Sequence, residues 1–258
     1  MKREMRRDRV PAIVPFFATA AGSIFTNPLI PTFRGWTMSE QNEAHPLWDW
    51  PTRLFHWLLV AALPLAWWTA EEGHMEWHEW TGYLLLVLVV FRLAWGWVGS
   101  RASRFATFVR GPGGVFAYLK GQAPGPEGHN PLGGWAILLM LLLLLLQVVS
   151  GLFNGDDILF DGPLRHLVSS EWQDLFGVLH DLCFNLLLGM IGLHLLAIGY
   201  YQLGRGEKLV QAMLRGHASG REGVAPPAPW WRALLLVVLA GAGLWGLLAL
   251  VPAPVSYW

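Results

Sequence analysis

Two histidines, His180 and His194, bracket a run that is otherwise almost wholly apolar, HDLCFNLLLGMIGLH. On an α-helix, fourteen positions turn the chain through about 1400°, roughly 40° short of four full turns, and advance it by about 21 Å. Both imidazoles therefore share one helical face, near opposite ends of one helix. If that helix crosses a hydrocarbon core of about 30 Å, one ring lies near each membrane face, where an unbonded polar group is costly and marks a functional site. One such histidine can satisfy itself against a neighbouring helix. A pair in this register points to ligation of a metal or cofactor.

The rest of the chain supplies the elements that position these rings. It has 258 residues, 54% hydrophobic and 14% charged, against about 25% charged for a soluble domain. The expected class is therefore an integral membrane protein. Basic and acidic residues number 18 each, so no overall field favours nucleic acid. The single cysteine, Cys183, lies within the apolar run and excludes disulfides or cysteine clusters within the chain; it reads as a small packing residue. Many of the sixteen tryptophans, among them Trp57, Trp77, Trp80, Trp95, Trp97, Trp135, Trp172, Trp230 and Trp231, fall where apolar and polar runs meet, as in an interfacial belt. No Walker loop, GxGxxG or GxSxG pattern occurs.

Five apolar stretches, at about 54–70, 80–98, 133–153, 175–201 and 232–251, each have the length of one crossing. They predict an all-α membrane fold, a four-helix bundle with one extra C-terminal transmembrane helix. Residues 1–45 form an N-terminal extension, 46–216 the bundle, and 217–258 a Pro-rich linker with the fifth span. The basic start and the stretch 10–25 resemble a secretory signal, but Pro11 and Pro15 interrupt it. Residues 1–37 are expected to have little fold content, with Met38 an alternative start. Arg101, Arg104, Arg110 and Lys120 follow span two, and Arg205, Lys208, Arg215 and Arg221 follow span four. The opposite connectors carry Glu71, Glu72, Glu76, Glu79, Asp156, Asp157, Asp161, Glu171 and Asp174, with Arg165 as the exception. The positive-inside rule then predicts a cytoplasmic N-terminus and an external C-terminus.

With that topology, His56 enters at the inner end of span one and His78 at the outer end of span two. Span four runs inward, so depth pairs His56 with His194 and His78 with His180. Stacked bis-imidazole sites within a bundle are what two b-type haems require. Zinc and copper also accept imidazole. Pairs roughly 21 Å apart nevertheless exclude one four-histidine centre, and two histidines make a poor closed zinc site. Gly82, Gly133, Gly134, Gly151, Gly189 and Gly192 would let a porphyrin approach the backbone, or serve tight helix packing. Arg53 and Arg92 are expected as partners of the inner propionates, the alternative being snorkelling to the interface.

The remaining histidines read as connectors. HMEWH, from His74 to His78, lacks the glutamate of HExxH. His45, His166 and His217 are expected to be solvated. His129 could line a quinone pocket or contact a propionate, or simply mark entry into span three.

Five segments taken together, WDWPTRLFHW (48–57), HEWTGY (78–83), FRLAWG (91–96), GHNPLGG (128–134) and the His180–His194 run, resemble the bacterial cytochrome b561 and nickel-iron hydrogenase b-type cytochrome superfamily. The likeness covers about 46–216. It implies a four-helix di-haem protein of the bacterial inner membrane, with His56, His78, His180 and His194 as axial ligands, passing electrons between the quinone pool and a redox partner. The partner could be a c-type cytochrome, or a hydrogenase or dehydrogenase subunit that the chain anchors. The extension and fifth span depart from the simplest members and leave the subfamily open. A haem-free transporter or assembly factor whose histidines bind a substrate metal is the rival of a different class.

Overall fold

The computed structural model describes residues 45–122, 131–155, 160–217, 223 and 225–252. These belong to one compact unit of the chain. All of the extension but His45 (1–44), together with His129, Asp156, Asp157 and Arg221, lies outside the described residues. Among the described residues the regular structure is helical, with two isolated bridges, His45 to Gly223 and Gly155 to Asp161.

Helix α1 (Trp50–Glu71) begins where the Asp49 carboxylate accepts from the Thr52 amide at 2.9 Å, with Pro51 in the first turn, where its missing N–H is not needed. It ends in a Schellman motif. Gly73, at φ +72°, lets the His74 amide reach the Thr69 carbonyl at 2.8 Å while its own amide bonds Ala70 at 3.2 Å. That tight reversal sends α2 (Met75–Val98) back along α1. Ala62 of α1 packs with Leu85 and Val89 of α2, and Phe55 lies with Leu88, Phe91 and Trp95.

Short helices α3 (Phe105–Phe108) and α4 (Pro112–Leu119) occupy the basic connector. Helix α5 (Pro131–Phe153) packs on α2 and along α6 (Ser170–Gly199), which continues into a π-helical turn over Tyr200–Gly204. Phe153 and Phe176 stack at 4.6 Å where α5 and α6 meet. After α7 (Leu209–Arg215), α8 (Trp230–Leu250) lies against α2 and, less closely, α1. Its two ends are tied to opposite ends of the bundle: the Ala228 amide donates to Ser100 Oγ at 2.8 Å, and the Pro252 carbonyl lies 2.9 Å from His166 Nε2.

Four of these helices, α2, α5, α6 with its π turn, and α8, have the length and apolar composition of a membrane crossing. The first of the five expected spans is a 22-residue helix in the same bundle but is not among them. His56, Pro64, Trp57, Trp67 and Trp68 dilute its apolar run, although proline and tryptophan are both at home in membrane helices.

Candidate haem-ligand sites

His78 sits in the first turn of α2, one helical turn beyond His74, whose carbonyl accepts its amide at 3.0 Å. Its Nδ1 lies 2.8 Å from the Ala66 carbonyl of α1. On α6, His180 Nδ1 lies 3.0 Å from the Gln147 carbonyl and 3.2 Å from Ser150 Oγ, both of α5. Carbonyls can only accept, so both rings carry their proton on Nδ1 and present Nε2 as the base. This is the support that orients a ligating imidazole and raises its basicity. The two ring centroids are 6.2 Å apart at an interplanar angle of 73°. Imidazoles that share one metal end-on, at the roughly 2.0–2.1 Å of a metal–nitrogen bond, have centroids about 6 Å apart. The arrangement fits a bis-imidazole centre.

At the other end of the bundle, His56 and His194 are near enough to interact electrostatically. His56 Nδ1 is buried without a hydrogen-bond partner among the described residues. An orphaned buried nitrogen is costly, and His56 thus lacks on its Nδ1 the carbonyl support that His78 and His180 have. Between the pairs lies a layer of Ala62, Leu85, Val89, Leu143, Leu144, Val148, Cys183 and Leu187, all buried. Cys183 is therefore placed as packing. Helix α6 meets α5 by close backbone approach but reaches α1 and α2 mainly through side chains, a spacing that suits a bulky planar group. Among the described residues no three metal-binding side chains of His, Cys, Asp or Glu converge.

The glycines divide. A Cβ on Gly151 would stand 3.0 Å from His180 Cε1, so its missing side chain gives the ring its place. Around Gly82, one turn from His78, a Cβ would meet nothing within 4 Å, which leaves room there. Gly189 and Gly192 also have open surroundings but are exposed and lie away from the face of α6 that carries both histidines. Gly134 packs instead against Phe108. Gly151→Val is expected to push His180 off its carbonyl, with an overpacking cost of about 1–3 kcal/mol. Redox titration should then show a shifted midpoint for a haem held at the His78 end.

Both arginines have acceptors within the chain. Arg53 Nε donates to the Met213 carbonyl at 3.1 Å and Nη2 to the Leu214 carbonyl, at the end of α7. Arg92 is buried, donates to the Ser103 carbonyl at 3.2 Å, and stacks over Phe105 at 5.2 Å, with the Asp49 carboxylate as its charged neighbour.

The sequence reading missed the polar knot around them. Asp49, 2% exposed, accepts from Trp95 Nε1 at 2.9 Å and Ser103 Oγ at 3.3 Å besides capping α1, and Thr52 Oγ1 lies 2.7 Å from Ser103 Oγ. Gly96 leaves space for Phe105, whose ring a Cβ would overlap. The D-x-P start of α1 signals a cap, but not the partners of Asp49. His166 bonds a carbonyl, and His217 is exposed beside Arg215.

Neighbouring imidazoles held on their Nδ1 side, in a bundle of helices apolar enough to cross a membrane, are compatible with a membrane protein of the cytochrome class. The prokaryotic cytochrome b561 family matches residues 47–216, and the chain belongs to it. Comparison with curated proteins and with solved structures gave no match. Membership makes this a membrane b-type cytochrome of electron transfer. The matched stretch contains His56, His78, His180 and His194; α8 lies beyond it.

Proposed function

We propose that the chain holds two b-type haems, one between His78 and His180 and one between His56 and His194, and moves electrons across a bacterial inner membrane between the quinone pool and a redox partner protein. The observation that carries this reading is the His78–His180 geometry, two rings 6.2 Å apart with each Nδ1 on a neighbouring carbonyl. When bound, the haems supply one-electron iron chemistry. The chain's own part is to fix the imidazoles, to hold the protons on Nδ1 of His78 and His180, and to keep water out between the pairs. That exclusion rests on the apolar layer around Val89 and Cys183. The excess of basic residues in the connectors at the His56 end supports placing that end in the cytoplasm.

A pyridine haemochrome assay on the purified full chain is expected to count two haems per polypeptide, with a b-type reduced-minus-oxidised spectrum. One haem per chain would defeat the pairing. None would defeat the reading, in favour of a haem-free transporter or assembly factor.

A further inference from the structure

At the end of the bundle that carries His56, a cavity of about 430 Å³ opens between the start of α1, the end of α7 and the strap that leads into α8. This volume lies in the range of pockets that take small ligands. Its polar lining is cationic or ionisable: Arg53, Arg215 and His217. Among the described residues no carboxylate lines it. Arg53 is fixed, since Nε and Nη2 are held by the Met213 and Leu214 carbonyls; Arg215 and His217 are exposed. The cavity is thus a cationic recess with one rigid wall.

The aromatic lining sets its depth. Trp50 and Trp230, 63% and 69% exposed, open α1 and α8 and stand at its rim. Tryptophan at the first residue of an apolar helix lies at the level of lipid headgroups. Just beyond them Leu54 and Trp57 on α1 and Leu234 on α8 are exposed and apolar, while Arg232, also exposed, lies over the Trp231 ring. A molecule with its charge in the recess would find apolar surface leading from there into the bilayer.

We propose that this recess binds the phosphate of an anionic phospholipid from the leaflet at the His56 end. Basic pockets beside membrane helices recruit such headgroups, and a guanidinium offers phosphate a bidentate fork. Trp50 and Trp230 frame the glycerol region, and the acyl chains follow Leu54, Trp57 and Leu234. A soluble anion would use the cations but gain nothing from the apolar rim, which favours the lipid over free phosphate. The proposal is independent of haem ligation.

The test uses the full chain in zwitterionic detergent. The shift of its thermal unfolding midpoint is followed against a short-chain phosphatidylglycerol, the matching phosphatidylcholine, inorganic phosphate and a short-chain quinone. A ligand that binds only the folded state raises the midpoint. Phosphatidylglycerol alone is expected to do so, with apparent affinity falling at least about fivefold in Arg215→Gln and again on adding His217→Gln. Arg215→Lys, which keeps the charge, should retain most of the affinity and guards against a variant that fails to fold. An equal response to phosphate, protection by the quinone instead, or undiminished affinity in the double variant overturns the proposal. Haem content is measured in the same samples and is expected to stay constant, so loss of lipid binding and failure of the haem reading stay distinguishable.

Discussion

His194→Ala is expected to leave about one haem per chain, with the centre between His78 and His180 intact in spectrum and potential. The removed ligand lies fourteen residues, about 21 Å of helix, from His180. Everything that holds His180 belongs to other elements: the Gln147 carbonyl and Ser150 Oγ on α5, the space at Gly151, and His78 opposite, itself held by Ala66 of α1. Between the levels stands a packed apolar layer that needs neither haem to form. The helix itself is secured by α5, through contacts such as Phe153 on Phe176. On the proposed ligation, losing His194 therefore removes an axial ligand without loosening the other site. His180→Ala should give the mirror result, sparing the centre at His56. Haemochrome stoichiometry and redox titration of both variants decide the point. Proportional loss of both haems in either variant would mean that the centres are not independent, and the two-level reading would fall.

The placement of the histidines was legible from spacing and connector charge, because helical period and membrane depth are both functions of residue number. His180 and His194 share a face by arithmetic, and the charge of the connectors sorts the remaining histidines between two depths. The structure brings His78 against His180 and sets His194 near His56. What could not be read depends on where connectors go. Arg53 and Arg92 lie within reach of the histidine faces by helical register, yet their acceptors come from the end of α7 and from Ser103. Those segments have no period to extrapolate. The same holds for Asp49, whose partners Trp95 and Ser103 are 46 and 54 residues away. Gly189 and Gly192 misled in another way. Lying between two histidines in sequence is not the same as lying on their face, and both glycines are exposed on the other side of the helix. Gly151, at the end of a different helix, is the glycine that makes room for His180.

Asp49 is also where the largest loss of stability is expected. Asp49→Leu removes the cap of α1, which in general costs about 0.5–2 kcal/mol. It also leaves the buried Trp95 indole N–H without its acceptor, at about 1–3 kcal/mol. Arg92, 4% exposed, then loses its neighbouring carboxylate, a smaller loss because its hydrogen bond goes to the Ser103 carbonyl instead. The effects share one carboxylate and do not add in full, so a loss of about 2–4 kcal/mol is the reasonable sum. Asp49→Asn should be milder. Its carbonyl can still accept from the Thr52 amide, but its NH2 group would face the Trp95 donor with nothing to offer it. The damage should be local before it is global. Asp49 lies seven residues, about two turns, before His56, and ties the start of α1 to the end of α2. The His56–His194 centre should therefore lose haem at a temperature where the His78–His180 centre still holds it. Heating the purified proteins while following each reduced band separately reads this order, and unfolding midpoints should fall from wild type through Asn to Leu. If Asp49→Leu melts with the wild type, or sheds both haems together, the carboxylate does not organise that end of the bundle.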